Sequence, residues 1–239
     1  TRLADLARPL AGASLDYVQV TIESHQSEIH EMMVGKVGAH QMTVAGIEAA
    51  LEVGLQVVTN TTLTQANAST FVETLRWLRT LGIKHAACNR LICSGRGNEC
   101  REKSDLPDVE LKNLLEAACA VAKEVGMELQ WYSPGCYTLG INPIEMGFGA
   151  KSCSAAAHNM TIQPDGSVLP CQSWPEIIGN ILNDPWGHIW SNPICRQLRN
   201  RELASPLCHT CDDFETCGGG CPLDPTLRRP ERDGKEANR

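Results

Sequence analysis

The chain of 239 residues has no apolar run approaching the ~20 residues of a membrane span, so no spanning helix is expected. It has no basic excess either. Lys and Arg number 21 against 28 Asp and Glu, a net charge of −7, whereas non-specific nucleic-acid binding needs a basic face. Beyond a βα alternation there is no internal repeat and no low-complexity segment. No signal-peptide pattern precedes the first strand, and the chain opens with Thr1 rather than Met. A fragment whose own N-terminus is missing is the expectation. What is present, 42% hydrophobic and 21% charged, suits a globular protein long enough to bury a core.

Cysteine is the residue this chain has in abundance, twelve in all. Four of them fall in Cys208-His-Thr-Cys211-Asp-Asp-Phe-Glu-Thr-Cys217-Gly-Gly-Gly-Cys221, spaced by two, five and three residues. Upstream, Cys153 is followed by twelve residues, Gly166, four more residues and Cys171. Six thiols so regularly spaced exceed what core packing requires. Soft thiolates of this kind select zinc or iron–sulfur clusters. Tight Cys-x-x-Cys spacing in a chain of this length also favours metal ligation in a reduced cytoplasm over disulfides.

From Leu15 to Tyr132 short apolar strands alternate with amphipathic helices. Strands are expected at Leu15–Ile22, Leu55–Thr59, Ile83–Cys88 and Met127–Tyr132, and helices at Thr43–Val53, Thr70–Leu81 and Val109–Val125. This alternation implies a parallel sheet with right-handed crossovers. Each of the first three strands turns polar where it ends: Thr21, Glu23 and Ser24; Asn60, Thr61 and Thr62; Asn89 and Arg90. In parallel α/β folds that edge binds ligands.

After Ser133 helical patterns fade and Pro, Gly and Cys take over. Ile162–Leu169 is expected as a hairpin turning at Asp165-Gly166, and a short helix is expected between Ile189 and Leu203. The glycines from Gly218 to Gly220 supply positive φ and close backbone approach between Cys217 and Cys221. Cys88, Cys119 and Cys195 occupy apolar positions and are expected in cores. The domain expectation is 1–132, 133–226 and a charged, solvated tail at 227–239.

The spacing Cys153-x12-Gly166-x4-Cys171 with Cys208-x2-Cys211-x5-Cys217-x3-Cys221 resembles the SPASM auxiliary-cluster domain of radical SAM enzymes. Ile162-Gln-Pro-Asp-Gly-Ser-Val-Leu-Pro-Cys171, Gly179-Asn-Ile181 and Ile189-Trp190 extend the likeness. Val18-Gln-Val-Thr-Ile-Glu-Ser24, Glu28-Ile-His-Glu31 and Gly35-x-x-Gly38 are similar to the family's fourth strand and the segment after it. The resemblance implies an α/β fold: the second half of a partial (βα)6 TIM-like barrel, then a small Cys-rich α+β domain. Three departures stand out. No Cys-x3-Cys-x2-Cys occurs to bind a SAM-cleaving cluster, Val34 replaces an Arg before Gly35, and no cysteine follows Cys221.

The resemblance also implies cofactors and partners. One or two auxiliary [4Fe–4S] clusters are expected here, with S-adenosyl-L-methionine (SAM) in the complete protein. A radical made from SAM would act on a substrate, most often a peptide or protein in this family, with a flavodoxin or ferredoxin as reductant. The family pattern pairs Cys153 and Cys171 with Cys221, and Cys208 with Cys211 and Cys217. Cys136 is a candidate fourth ligand of the first cluster or an ordinary buried thiol, and Asp224 or an external ligand is a candidate for the second. Thr21, Glu23 and Asn60 are the candidate SAM contacts. Two other readings stay open: structural zinc in the Cys208–Cys221 quartet, or an electron-transfer module using clusters alone.

Overall fold

The computed structural model describes residues 2–139 and 141–224; the expected tail at 227–239 lies outside the described residues. Two compact units divide the chain. The first contains Thr1–Leu91, Glu102–Tyr132 and Pro143–Gly149, and the second Ile92–Arg101, Ser133–Asn142 and Ala150–Arg239.

In the first unit α1 (Leu3–Gly12) precedes β1 (Tyr17–Thr21), α2 (Ser27–Val34), α3 (Ala39–Glu52) and β2 (Gln56–Leu63). A 3-10 turn at Ala68–Thr70 leads into α4 (Phe71–Thr80) and β3 (His85–Arg90). The chain then passes through α5 (Arg96–Glu99), which belongs to the second unit, and α6 (Arg101–Ser104) to α7 (Asp108–Glu124) and β4 (Glu128–Trp131). The sheet order is β1-β2-β3-β4 with every pair parallel, the parallel sheet expected from the alternation and consistent with the partial barrel that the resemblance implies. All four strands and three helices expected from the sequence are present, within a few residues of their expected ends. Besides the one-turn helices α5 and α6, two helices were not foreseen. α1 carries Pro9 in its interior, which argues against a helix locally, and α2 has only eight residues.

Packing follows from the residues. β2 alternates, burying Val57, Thr59, Thr61 and Leu63 on one face. β3 is central, and its small residues Ala86, Ala87 and Cys88 are buried on both faces, as a doubly covered parallel strand requires. Phe71, Leu75 and Leu78 of α4 and Leu111 and Leu115 of α7 are almost wholly inaccessible and complete the core.

The second unit is built differently. Its sheet is β5 (Thr161–Ile162), β6 (Ser167–Leu169) and β7 (Gly179–Asn180), antiparallel throughout and two to three residues per strand. Helices α8 (Trp186–Trp190), α9 (Pro193–Arg199) and α10 (Phe214–Cys217) come after it, with 3-10 turns at Tyr137–Leu139 and Pro206–Thr210. The single helix expected between Ile189 and Leu203 is thus two. Asn192 divides them; its side chain accepts the Ile194 N–H at 3.0 Å and caps α9, with Pro193 at the first helical position.

The β5–β6 hairpin turns through three residues rather than two. Ile162 faces Val168, and the Gln163 N–H donates to the Ser167 carbonyl at 2.8 Å, leaving Pro164, Asp165 and Gly166 as the loop. Pro presets the turn and Gly166, at φ +85°, takes the left-handed position of a three-residue loop. A Cβ there would lie 2.7 Å from Leu182 and 2.8 Å from Asn180 Oδ1, so glycine is required sterically as well.

The core of this unit comprises Ala155, Ala156, Val168, Trp174, Ile178, Ile189, Cys195 and Leu198, with Cys153 and Cys171 packed against it. Trp174 is buried, but Trp186 and Trp190 are exposed, ring centroids 6.1 Å apart. Arg199 lies over Trp190 at 4.2 Å and anchors to the Ala156 and Trp190 carbonyls. Among the described residues no helix is long and apolar enough to cross a membrane.

Candidate metal centre

The thiols of the second unit form two groups, and mutual electrostatic effects identify them. Burial pushes the Cys153 thiol up, and Cys171 adds in the same direction. Cys221 is pushed up to about 11, by burial first, with Cys153, Cys171 and Asp224 all adding. Burial also raises Cys208, and Cys136, Cys217 and Cys211 raise it further. Cys217 is raised by burial and by Cys136 and Cys211, while the N–H groups of Gly219 (3.4 Å) and Tyr137 donate to its sulfur and pull the other way. Repulsion of this kind acts between near neighbours. One group is therefore Cys153, Cys171 and Cys221; the other is Cys208, Cys211 and Cys217 with Cys136.

Local structure explains how the chain delivers these sulfurs. Cys208 lies in the 3-10 turn from Pro206, and the Cys211 N–H returns to the Cys208 carbonyl at 3.0 Å. His209, between those two cysteines, packs its ring edge-on to Phe214 at 4.9 Å, as a turn residue rather than a ligand. α10 ends at Cys217, and Gly218, Gly219 and Gly220 then run at φ +64°, +80° and +80°. A Cβ on Gly219 would sit 2.7 Å from that of Ala204. This backbone sends Cys217 to one group and Cys221 to the other, the path expected from the glycines.

Cys136 lies within electrostatic reach of Cys208 and Cys217. Asp224 lies within reach of Cys221, and its carboxylate receives Arg101 at 3.2 Å. Of the cysteines expected in cores, Cys88 and Cys195 are buried and Cys119 is only partly so.

The donor set fits iron–sulfur clusters. Buried thiols crowded together resist ionisation until a metal offsets their charge. Thiolate sets of this kind suit zinc as well as iron–sulfur clusters. A cavity of about 180 Å³ adjoins the first group, lined by Cys153, Cys221, His158, Arg199 and Arg201 among others.

In the first unit the polar strand ends form a connected edge. Thr21 is exposed and paired in register with Asn60. The Glu23 carboxyl is 8% exposed, accepts the Thr62 N–H at 2.9 Å, and is raised to about 7, by burial first and against that hydrogen bond. Asn60 donates to Asn89 Oδ1 at 2.9 Å, and its own buried Oδ1 has no hydrogen-bond partner. Arg90 is held by Asp105 and Asp108 instead.

Two residues of this edge were not legible in the sequence. Asn67, fully buried, clamps the Glu23 and Thr62 carbonyls at 2.9 Å each, and His30 Nδ1 accepts the Glu23 N–H at 3.1 Å. Asn67 comes after β2 in a loop where Asn reads only as a turn residue. His30 lies inside Glu28-Ile-His-Glu31 but signals no partner by itself.

Comparison with known proteins agrees with this geometry. The SPASM family, an iron–sulfur cluster-binding domain, matches residues 153–212. The AdoMet-dependent heme synthase of Methanosarcina barkeri is 26% identical over 90% of this chain and 65% of its own length. The PqqA peptide cyclase of a Methylobacterium is 23% identical over 89% of this chain and 56% of its own. Streptococcus suis SuiB bound to its precursor peptide SuiA superposes with a TM-score of 0.67 at 16% identity, covering 88% of this chain and 53% of SuiB. Native anSMEcpe with bound AdoMet gives 0.64 at 15%, covering 91% and 62%. Residues 153–212 thus match an iron–sulfur cluster-binding domain, and the relatives and structural neighbours of the chain indicate the radical SAM/SPASM family. It spans under two thirds of the length of the curated relatives it matches.

Proposed function

We propose that this chain is part of a radical SAM enzyme, with a half-barrel that contacts SAM and a SPASM domain that carries auxiliary [4Fe–4S] clusters. The observation that carries the reading is the sorting of seven cysteines into two neighbouring groups within one small unit. Cys153, Cys171 and Cys221 would hold one cluster, and Cys208, Cys211 and Cys217 the other. Such clusters supply electron transfer or an open iron for a substrate group. Around them the protein's own part is to bury the thiols and donate backbone N–H groups to sulfur, as Gly219 and Tyr137 do for Cys217.

At the sheet edge Thr21, Glu23 and Asn60 are the proposed SAM contacts. The buried, unpartnered Asn60 Oδ1 offers an acceptor for a ligand hydroxyl or amino group, and the Glu23 carboxyl accepts or gives a proton near neutral pH. A peptide or protein substrate is the reading closest to PqqA peptide cyclase and SuiB. The heme synthase relatives favour a second one, a haem precursor. A flavodoxin or ferredoxin as reductant and a cytoplasmic setting complete the proposal, with neither nucleic acid nor membrane as partner.

The test is metal and sulfide analysis with an absorbance spectrum on anaerobically prepared protein. About eight irons with matching sulfide and a broad visible band are expected for two clusters. Zinc without iron would overturn the reading and restore the structural-zinc alternative.

A further inference from the structure

We infer that Asn89 is a positioning residue: it turns the amide of Asn60 so that this side chain meets a ligand only as a hydrogen-bond acceptor. The position then selects for a ligand hydroxyl or amino group. The inference rests on the SAM-edge reading above and adds to it the hydrogen-bonding character of one contact. Asn60 and Thr62 lie on the partly exposed face of β2, alternating with Thr59 and Thr61 on the buried face. On β3 the residue opposite Asn60 is Ala87, and the one opposite Thr62 is Asn89. Ala87 carries only a methyl group, so the Asn60 amide reaches past it to its diagonal neighbour Asn89.

One carbonyl fixes the orientation of both amides. The Arg90 carbonyl can only accept, so the side-chain atom of Asn89 that lies 2.9 Å from it is the nitrogen. The same nitrogen reaches Thr62 Oγ1 at 3.4 Å. Asn89, 9% exposed, therefore turns its oxygen toward Asn60 and accepts from Asn60 Nδ2 at 2.9 Å. That commits the nitrogen of Asn60 to the protein. Its oxygen is left buried, with no hydrogen-bond partner among the described residues. An acceptor withdrawn from water and unpaired is costly. A ligand that donates to it removes the cost, whereas one lacking a donor at that point leaves it in place. SAM carries two kinds of donor, the ribose hydroxyls and the amino group, and a reversed Asn60 amide would favour neither.

Two measurements test this, the first on this chain itself. With asparagine labelled by 15N, the Asn60 side-chain amide, assigned by its loss in Asn60→Asp, should exchange with solvent about tenfold faster once Asn89 becomes Leu or Ala. The second compares Kd values of the complete, reconstituted protein for SAM, 2′-deoxy-SAM, 3′-deoxy-SAM and the analogue lacking the amino group. One analogue should bind about ten- to a hundredfold more weakly than SAM, and which one it is separates the ribose from the amine. In Asn89→Leu and Asn89→Ala that ratio should collapse toward one. Asn89→Asp, which keeps an oxygen for Asn60 Nδ2, should retain it. A merely structural role for Asn89 would weaken SAM and analogue alike and leave the ratio unmoved. An unchanged exchange rate or an unchanged ratio in Asn89→Ala, or no analogue distinguished by the unsubstituted protein, would overturn the inference. Failure of the unsubstituted protein to bind SAM would instead sink the SAM reading on which it rests, so the two failures are distinguishable.

Discussion

The two units of this chain solve the problem of stability in opposite ways. The half-barrel closes over long apolar side chains such as Phe71, Leu75, Leu78, Leu111 and Leu115, on strands of four to eight residues and helices of up to seventeen. The Cys-rich unit has strands of two or three residues and a core in which two of eight residues are alanine. So little apolar area cannot offset the entropy of ordering so much loop. Metal–thiolate bonds can, because binding energy becomes folding energy when no site exists in the unfolded chain. On the proposed reading, the thiols that define the chemistry would therefore also hold the unit together.

The largest expected effect separates the two units outright. Stripping iron with a chelator should cost the Cys-rich unit most of its order, on the scale of ~10 kcal/mol for structural metal sites. Hydrogen exchange would show protection collapsing across 153–221 while β2, β3 and α7 stay protected. Equal loss in both units would break the comparison.

The converse substitution is Leu75→Ala, at a fully buried position of α4. It should destabilise the half-barrel by about 2–5 kcal/mol and leave the iron content unchanged. Denaturant melts read with iron analysis would check both halves of that statement.

A smaller and pH-dependent effect belongs to Glu23. Its carboxyl is raised by burial from 4.5 to about 7, so the folded state holds the proton more tightly than the unfolded state. The associated stability is full below pH 4.5 and is lost as pH rises toward 7, by on the order of 3 kcal/mol. His30, lowered by burial, acts in the opposite sense, losing stability on acidification. Glu23→Gln should therefore flatten the decline between pH 4.5 and 7 and leave the His30 contribution, as thermal melts across that range would record. An unaltered pH profile would show that Glu23 is solvated.

Much of the half-barrel was legible because its signals are local. Apolar periodicity and glycine stops marked three helices and four strands, and the polar residues at strand ends marked a polar sheet edge. α1 and α2 were not legible, one hiding a proline and the other too short to show a period. The hairpin was legible as such, but its loop length was not. Asp165-Gly166 suits a two-residue turn, yet Pro164 ahead of it supplies the first residue of a three-residue one. Exposure of Trp186 and Trp190 was equally hidden, since an aromatic at a helix surface reads like one in a core.

The cysteine spacing alone carried the expectation of metal ligation through thiolates, because ligand type and loop length between ligands are written along the chain. The strand alternation likewise determined a parallel sheet with a polar edge, because side-chain period and strand-end chemistry are local properties. Which thiols stand together was decided only by tertiary structure. Cys136 is seventeen positions from Cys153 and seventy-two from Cys208, yet it acts electrostatically on Cys208 and Cys217. The environment of Glu23 was settled in the same way. Its burial and its partners Thr62, Asn67 and His30 come from three separate segments, and a proton affinity set by distant neighbours has no signature in the residue's own surroundings along the chain.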